Sequence, residues 1–107
     1  MSKILLGLLL ITGLTIASCE CESGASGRVF RSDTQEPLSG VSILFSFDEG
    51  GKLDTTGTDS EGYYTVGGLG GRCRSTKIIF NKDGYVTQSL SIPKGDYLDQ
   101  DTYLVKE

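Results

Sequence analysis

Three thiols carry most of the chemistry that the residue types of this chain allow: Cys19 and Cys21, one residue apart in "LTIASCECESG", and Cys73 far downstream. A C-x-C pair can act as metal ligands, as a redox couple, or as two thiols with unrelated jobs. The chain contains no His, so a Ser or Cys nucleophile would lack its imidazole base. It also lacks a phosphate loop of the form G-x-x-x-x-G-K-[ST]. Carboxylates are the remaining acid–base candidates, and Asp96, Asp99 and Asp101 gather around Tyr97 in "DYLDQD". That cluster reads first as a solvated turn, then as a weak calcium site, and last as an acid–base pair. No other metal ligand set is expected, and no catalytic residue is assigned.

The elements that would position these groups belong to one small domain, since 107 residues leave no room for a second. The formal charge is −4, and the ten Lys and Arg are scattered, with Arg72 and Arg74 the only local pair. Nucleic acid is therefore not an expected partner, because phosphate backbones require clustered cations.

Residues 1–18, "MSKILLGLLLITGLTIAS", follow the plan of a secretory signal peptide: Lys3, an apolar core from Ile4 to about Ile16, then the small residues Ala17 and Ser18. The apolar run is short for a membrane span of about 20 residues. "IASC" at 16–19 resembles the lipobox of bacterial lipoproteins. That resemblance implies cleavage before Cys19, acylation of Cys19, and an exported chain held at the cell envelope, at the outer membrane, on its periplasmic or surface face. Two or three acyl chains hold a protein firmly where one holds it marginally. With Cys19 lipidated, Cys21 and Cys73 are the only thiols left in an oxidising compartment, and an even remainder suggests a disulfide. The rival readings are metal binding, which would want more Cys or His, and two solitary thiols.

Removing residues 1–18 takes away one Lys and leaves 14 acidic against 9 basic side chains, a formal −5. Residues 19–26 read as an acidic, flexible tether and 27–107 as the domain. Its pattern is one of short strands: "GRVF" (27–30), "GVSILFSF" (40–47), "YYTV" (63–66), "STKIIF" (75–80), "VTQSLSI" (86–92) and "DTYLVK" (101–106). In the clearest of them Val41, Ile43, Phe45 and Phe47 share one face, with Ser42 and Ser46 on the other; Leu44 departs from the alternation, which predicts a partly covered outer face. Gly62, Gly84 and Gly95 stand where tight turns need positive φ. "GGLGGR" (67–72) reads as a flexible loop. Strands at roughly ten-residue intervals predict an antiparallel sandwich.

"SGRVF" (26–30), "EPLSGVSI" (36–43), "TGTDSEGYYTV" (56–66) and "KDGYVTQSLSI" (82–92) resemble, in this order, the carboxypeptidase regulatory-like domain. The resemblance implies a transthyretin-like, seven-stranded β-sandwich. Its turn and fold signature falls on Pro37, Gly40, Asp59, Gly62, Gly84 and Tyr85. Pro37 fixes φ ahead of a strand, Gly40 permits the bend into it, and Asp59 can bond the backbone amides of "DSEG" while Gly62 takes the left-handed position. Tyr64 and Tyr85 are expected at the sandwich edge with hydroxyls toward solvent.

Related enzymes need groups this chain lacks. The transthyretin-like hydrolases of purine breakdown use histidines and a C-terminal Tyr-Arg-Gly-Ser, and intradiol dioxygenases hold iron with His and Tyr; here there is no His and the end reads "TYLVKE". A Lys–Asn isopeptide crosslink of the collagen-adhesin type is unexpected, with Asn81 the only Asn and no Lys in the first strand. The expected function is a lipid-anchored, non-catalytic structural or protein-interaction module with an envelope protein as partner. The alternative is a glycan- or peptide-binding accessory module of a nutrient-uptake system, with Tyr63, Tyr97 and Tyr103 as ligand contacts.

Overall fold

The computed structural model describes residues 21–69 and 72–107. The expected signal peptide and Cys19 lie outside the described residues. Eight strands follow one another: β1 (Glu22–Arg31), β2 (Ser42–Phe47), β3 (Asp54–Gly57), β4 (Tyr63–Leu69), β5 (Thr76–Asn81), β6 (Gln88–Ile92), β7 (Tyr97–Asp99) and β8 (Thr102–Leu104). One sheet runs β3-β2-β5-β6 and is antiparallel throughout. The other is centred on β1, with β4 antiparallel on one side and β7 and β8 parallel on the other.

The expected all-β sandwich is present, and two details of it change. β7 and β8 pair in turn along one side of β1, Gly24–Ser26 facing Tyr97–Asp99 and Val29–Arg31 facing Thr102–Leu104. Taken as one strand broken at Gln100–Asp101, they give the seven-strand count. Their pairing with β1 is parallel, however, so this sheet is mixed. A parallel partner must come from a distant part of the chain, and here it comes from the C-terminal segment.

The core lies between the two inner faces. Val41, Ile43, Ile78, Phe80 and Ile92 are buried on one side and Ala25, Val29, Tyr64, Val66 and Leu104 on the other, with Leu38 closing one end. Outside the close-packed start of β1, where Ser23, Gly24 and Ala25 are all buried, the core positions on strands alternate with exposed or half-buried residues, as a pleated strand with one buried face requires. Tyr64 and Phe80 meet edge to face across the core, with centroids 5.3 Å apart. Leu44 is half-buried and sits opposite Ile79 on the outer face, the partial covering that its departure from alternation predicted.

The boundary of the tether is corrected. Glu22–Ser26 belong to β1, and Ser23 and Ala25 are fully buried. The small residues that resemble a linker are there for close approach: at Gly24 (φ 130°) a Cβ would run into the Val66 carbonyl of β4. "GGLGGR" is likewise corrected in part, since Gly67, Gly68 and Leu69 continue β4. β3 and β7 carry no strand signal in the sequence; β3, "DTTG", is exposed at every residue and is a strand only because β2 offers it an edge.

Candidate interaction face

The described residues draw one chemically distinctive surface, on the outer face of the sheet centred on β1. Ala25 and Val29 point inward, so alternation turns Arg28 and Phe30 outward. Register then places Tyr63 of β4 beside Arg28 and Tyr103 of β8 beside Phe30. The Arg28 guanidinium carbon lies 4.5 Å from the Tyr63 ring centroid and 5.1 Å from that of Phe30. Phe30 and Tyr103 stack with centroids 5.4 Å apart and planes at 24°. The result is a ladder, Tyr63–Arg28–Phe30–Tyr103, that crosses three strands and about 10 Å of sheet.

Local turns hold the ladder in place. Asp59 Oδ1 accepts hydrogen bonds from the amides of Glu61 (2.9 Å) and Tyr63 (3.0 Å), and Gly62 (φ 85°) lets the chain turn back into β4. A Cβ at Gly62 would stand 2.8 Å from the Val29 carbonyl oxygen. The exposed carbonyl of Glu61 accepts from Arg28 Nε (3.1 Å) and Nη2 (2.9 Å), which fixes the guanidinium over the rings. Asp101 Oδ1 accepts from the Arg28 amide at 3.0 Å. Tyr63 and Tyr103 remain 48% and 43% exposed, so each keeps a free ring surface. Rigid amphipathic rings of this kind stack on apolar or planar partners, and a guanidinium held between them adds a cation–π contact.

The sequence-expected residues divide as follows. Tyr63 and Tyr103 are in the ladder. Tyr97 lies on the same outer face by alternation with Leu98, but opposite Gly24 and so toward the other end of β1. Asp96 and Asp99 are exposed and Asp101 is engaged by Arg28; no group of three or more His, Cys, Asp or Glu converges on a metal site among the described residues. Asn81 Oδ1 accepts from the Thr87 hydroxyl at 3.3 Å and Lys82 Nζ donates to the Ser39 carbonyl at 3.1 Å. Gly40 (φ 68°) and Gly84 (φ 86°) take left-handed turns as expected, Pro37 bridges to Phe30, and Tyr85 bridges to Lys106 and packs on the core.

Tyr64 is a correction: its hydroxyl donates to the Gln100 carbonyl at 3.0 Å instead of reaching solvent, and burial pushes its pKa above the usual phenol value. Arg28 and Phe30 were not singled out from the sequence. Their signal was available in "RVF", where an inward Val29 puts both neighbours outward, but only the register shows what they meet. Arg31, one residue on, is tied to Asp33 by two hydrogen bonds of 2.6 and 3.0 Å and stands outside the ladder; the bond holds the Asp33 carboxyl below the ordinary carboxylate range.

The opposite end of β1 carries the disulfide Cys21–Cys73, with Cα atoms 5.1 Å apart. Beside it Arg74 lies 4.1 Å from the Phe47 ring centroid, and Arg72 pairs with Asp48 at 3.2 Å. A cleft of about 650 Å³ opens there between the β2–β3 connection and the two arginines.

No protein-family model matches the chain, and no curated protein sequence does. Several solved structures share its fold. The 3-chlorocatechol 1,2-dioxygenase of Rhodococcus opacus 1CP superposes with a TM-score of 0.59 at 10% identity, over 81% of this chain and 61% of that one. The D295N mutant of the shaft pilin SpaA of Lactobacillus rhamnosus GG gives 0.57 at 14%, over 78% and 47%. The group B streptococcus pilus 2b backbone protein gives 0.53 at 10%, over 79% and 41%. This chain spans less than two-thirds of the length of each. At such identities the likeness is one of fold, and the fold hosts both an enzyme and structural pilus proteins.

Proposed function

We propose that this protein is an exported, non-catalytic β-sandwich, anchored to the cell envelope through lipid on Cys19, that works as an interaction module by presenting the Tyr63–Arg28–Phe30–Tyr103 face to an envelope protein. The observation that carries the reading is the placement of that ladder. It lies at the far end of β1 from Cys21, seven to nine residues up a strand that rises about 3.3 Å per residue, hence roughly 25 Å from the anchored end. A disulfide joining the only two thiols left after lipidation fits an oxidising compartment. The lipobox likeness at 16–19 supports the anchor. Pilus backbone proteins with this fold support a structural role, and the absence of His from the sequence argues against the iron site that the resemblance associates with dioxygenases.

Two measurements test it. Intact mass of membrane-extracted protein should give a chain that begins at acylated Cys19, with two thiols titrating only after reduction; an unacylated chain removes the anchor from the reading. A photocrosslinker at position 103 should trap one envelope protein that a crosslinker at Thr55, exposed on the opposite sheet, does not trap. Equal trapping from both positions, or from neither, would sink the interaction face.

A second reading, glycan binding, rests on the exposed rings of Tyr63 and Tyr103, which suit the face of a sugar. Calorimetry against a panel of polysaccharides should then show binding that Tyr103→Ala abolishes, and no heat with any of them removes it.

A further inference from the structure

A two-sheet sandwich has four edges, and three of them here are guarded against pairing with another chain. β3 is four residues long, starts at Asp54 and approaches β4. β4 is bent through positive-φ Gly67 and Gly68. The β7–β8 edge is broken at Gln100–Asp101 and carries Asp96, Asp99 and Asp101. Short length, irregular backbone and charge are the devices that keep edge strands from associating.

β6, one residue longer than β3, has neither charge nor irregular backbone. Gln88–Ser89–Leu90–Ser91–Ile92 contains no charge, no proline and no glycine, and it stays in unbroken register with β5 over five pairs, from Thr76↔Ile92 to Phe80↔Gln88. The free stretch has defined limits. Just before it the C-terminal residues cover the edge, through Val86 N–H to the Val105 carbonyl (2.8 Å) and Glu107 N–H to the Gly84 carbonyl (2.9 Å). Pro93 ends it on the other side. A cleft of about 300 Å³, with Phe80, Leu90, Asp101 and Tyr103 among its lining residues, opens between this edge and β8.

We infer that β6 is a self-association edge, on which a second copy of this chain pairs antiparallel about Leu90 and joins the two β3-β2-β5-β6 sheets into one. The occupant follows from charge and symmetry. On a chain of formal charge −4, an uncharged edge lets identical copies meet without like charges opposed along the ladder. The central three residues are self-complementary: Leu90 would face Leu90 of the other copy, and Ser89 would face Ser91, on the outer surface where both are exposed, with Gln88 against Ile92 at each end. The pairing is isologous, so it closes at two copies and, with the other edge of that sheet guarded, does not propagate.

Sedimentation equilibrium of the purified chain, from low micromolar to submillimolar concentration, tests this with two double variants. The unmodified chain should dimerise reversibly. Ser89→Glu with Ser91→Glu opposes Glu to Glu in both symmetry-related pairs, keeps the carboxylate at position 91 beside Lys77 of β5 in its own chain, and should raise the dimer dissociation constant at least about tenfold. Ser89→Lys with Ser91→Glu opposes Lys to Glu in the same pairs and should restore dimerisation, while showing that charge at these exposed positions leaves the fold intact. A chain that stays monomeric throughout the range overturns the inference. So does a dimer indifferent to the Glu–Glu variant, which would have another interface, or one that the Lys–Glu variant fails to restore, which would have another register.

Discussion

The two sheets bury their inner faces alike and are assembled from different chemistry. In β3-β2-β5-β6 the inner face is aliphatic and aromatic, with Ile43, Ile78, Phe80 and Ile92 buried, and the outward positions are mostly Ser, Thr and Lys. In the β1 sheet the central strand opens "ESGASG" and is held by neighbours from residues 63–69 and 97–104. There the outward positions range from glycine at one end to the Tyr–Arg–Phe–Tyr ladder at the other. The first sheet is specified by side chains that prefer a half-buried pleat, the second by small residues that let backbones approach and by one covalent clasp. Alternation alone therefore makes a strand, whereas smallness makes a place for two neighbours.

Breaking the clasp should have the largest effect. The Cys21–Cys73 bond closes a loop of separation 52, worth about 4 kcal/mol in the chain-entropy account. Cys21→Ser with Cys73→Ser should lower the unfolding free energy by that order in urea titrations, and reductant should have no further effect on the variant. A loss under about 1 kcal/mol would mean that the β1 sheet stands without its clasp.

Next come the glycines that turn the chain. Gly62 and Gly84 share φ near 85°, but a Cβ at Gly62 meets the Val29 carbonyl oxygen, whereas one at Gly84 meets nothing within 4 Å. Gly84→Ala should cost about 1 kcal/mol, from backbone conformation alone, and Gly62→Ala about 2–3 kcal/mol, as it also displaces β1. Equal losses in thermal or urea unfolding would remove close approach from the account of the β1 sheet.

Two smaller changes are expected to have opposite signs in the two sheets. In the β1 sheet, Tyr64→Phe removes the hydrogen bond to Gln100 and should cost about 1 kcal/mol at neutral pH. The Tyr64 pKa is raised by burial above its ordinary value of 10.0. The contribution of the phenol is therefore complete below pH 10 and is lost as pH rises through the folded-state value, because the unfolded chain gives up the proton first. Stability measured from pH 9 to 12 should fall less steeply in Tyr64→Phe than in the unmodified chain. In the other sheet, the buried Thr76 hydroxyl has no hydrogen-bond partner among the described residues, and Thr76→Val should raise stability by about 1 kcal/mol.

Legibility followed the same division. β2, β5 and β6 announce themselves through alternation, and the turns at Gly62, Gly84 and Gly95 through their preceding Asp, Asn or Pro, because each signal is local. β1 was legible only from Gly27, since "ESGAS" is small and polar whether it serves as a leash or as the middle of a sheet. β3 and β7 were invisible for a related reason: "DTTG" and "YLD" become strands through an edge supplied from elsewhere in the chain. In the ladder the two tyrosines stood out by type. Arg28 and Phe30 did not, because what they do depends on the register of three strands whose paired residues lie up to 73 apart, as Phe30 and Tyr103 do.

The clasp also decides how the molecule answers tension. Cys21 sits immediately before β1, and its sulfur is joined to Cys73, just ahead of β5 in the other sheet. A pull entering at the N-terminal end therefore divides at once between both sheets, and the whole stretch from β1 to β4 is locked inside a covalent ring that cannot lengthen. Only the chain beyond Cys73 can pay out. A domain held this way under tension would extend by a fraction of its contour length and stop, keeping Arg28 and Phe30 of β1 in register with β4 and its Tyr63, while Tyr103 on β8 leaves with the chain that pays out.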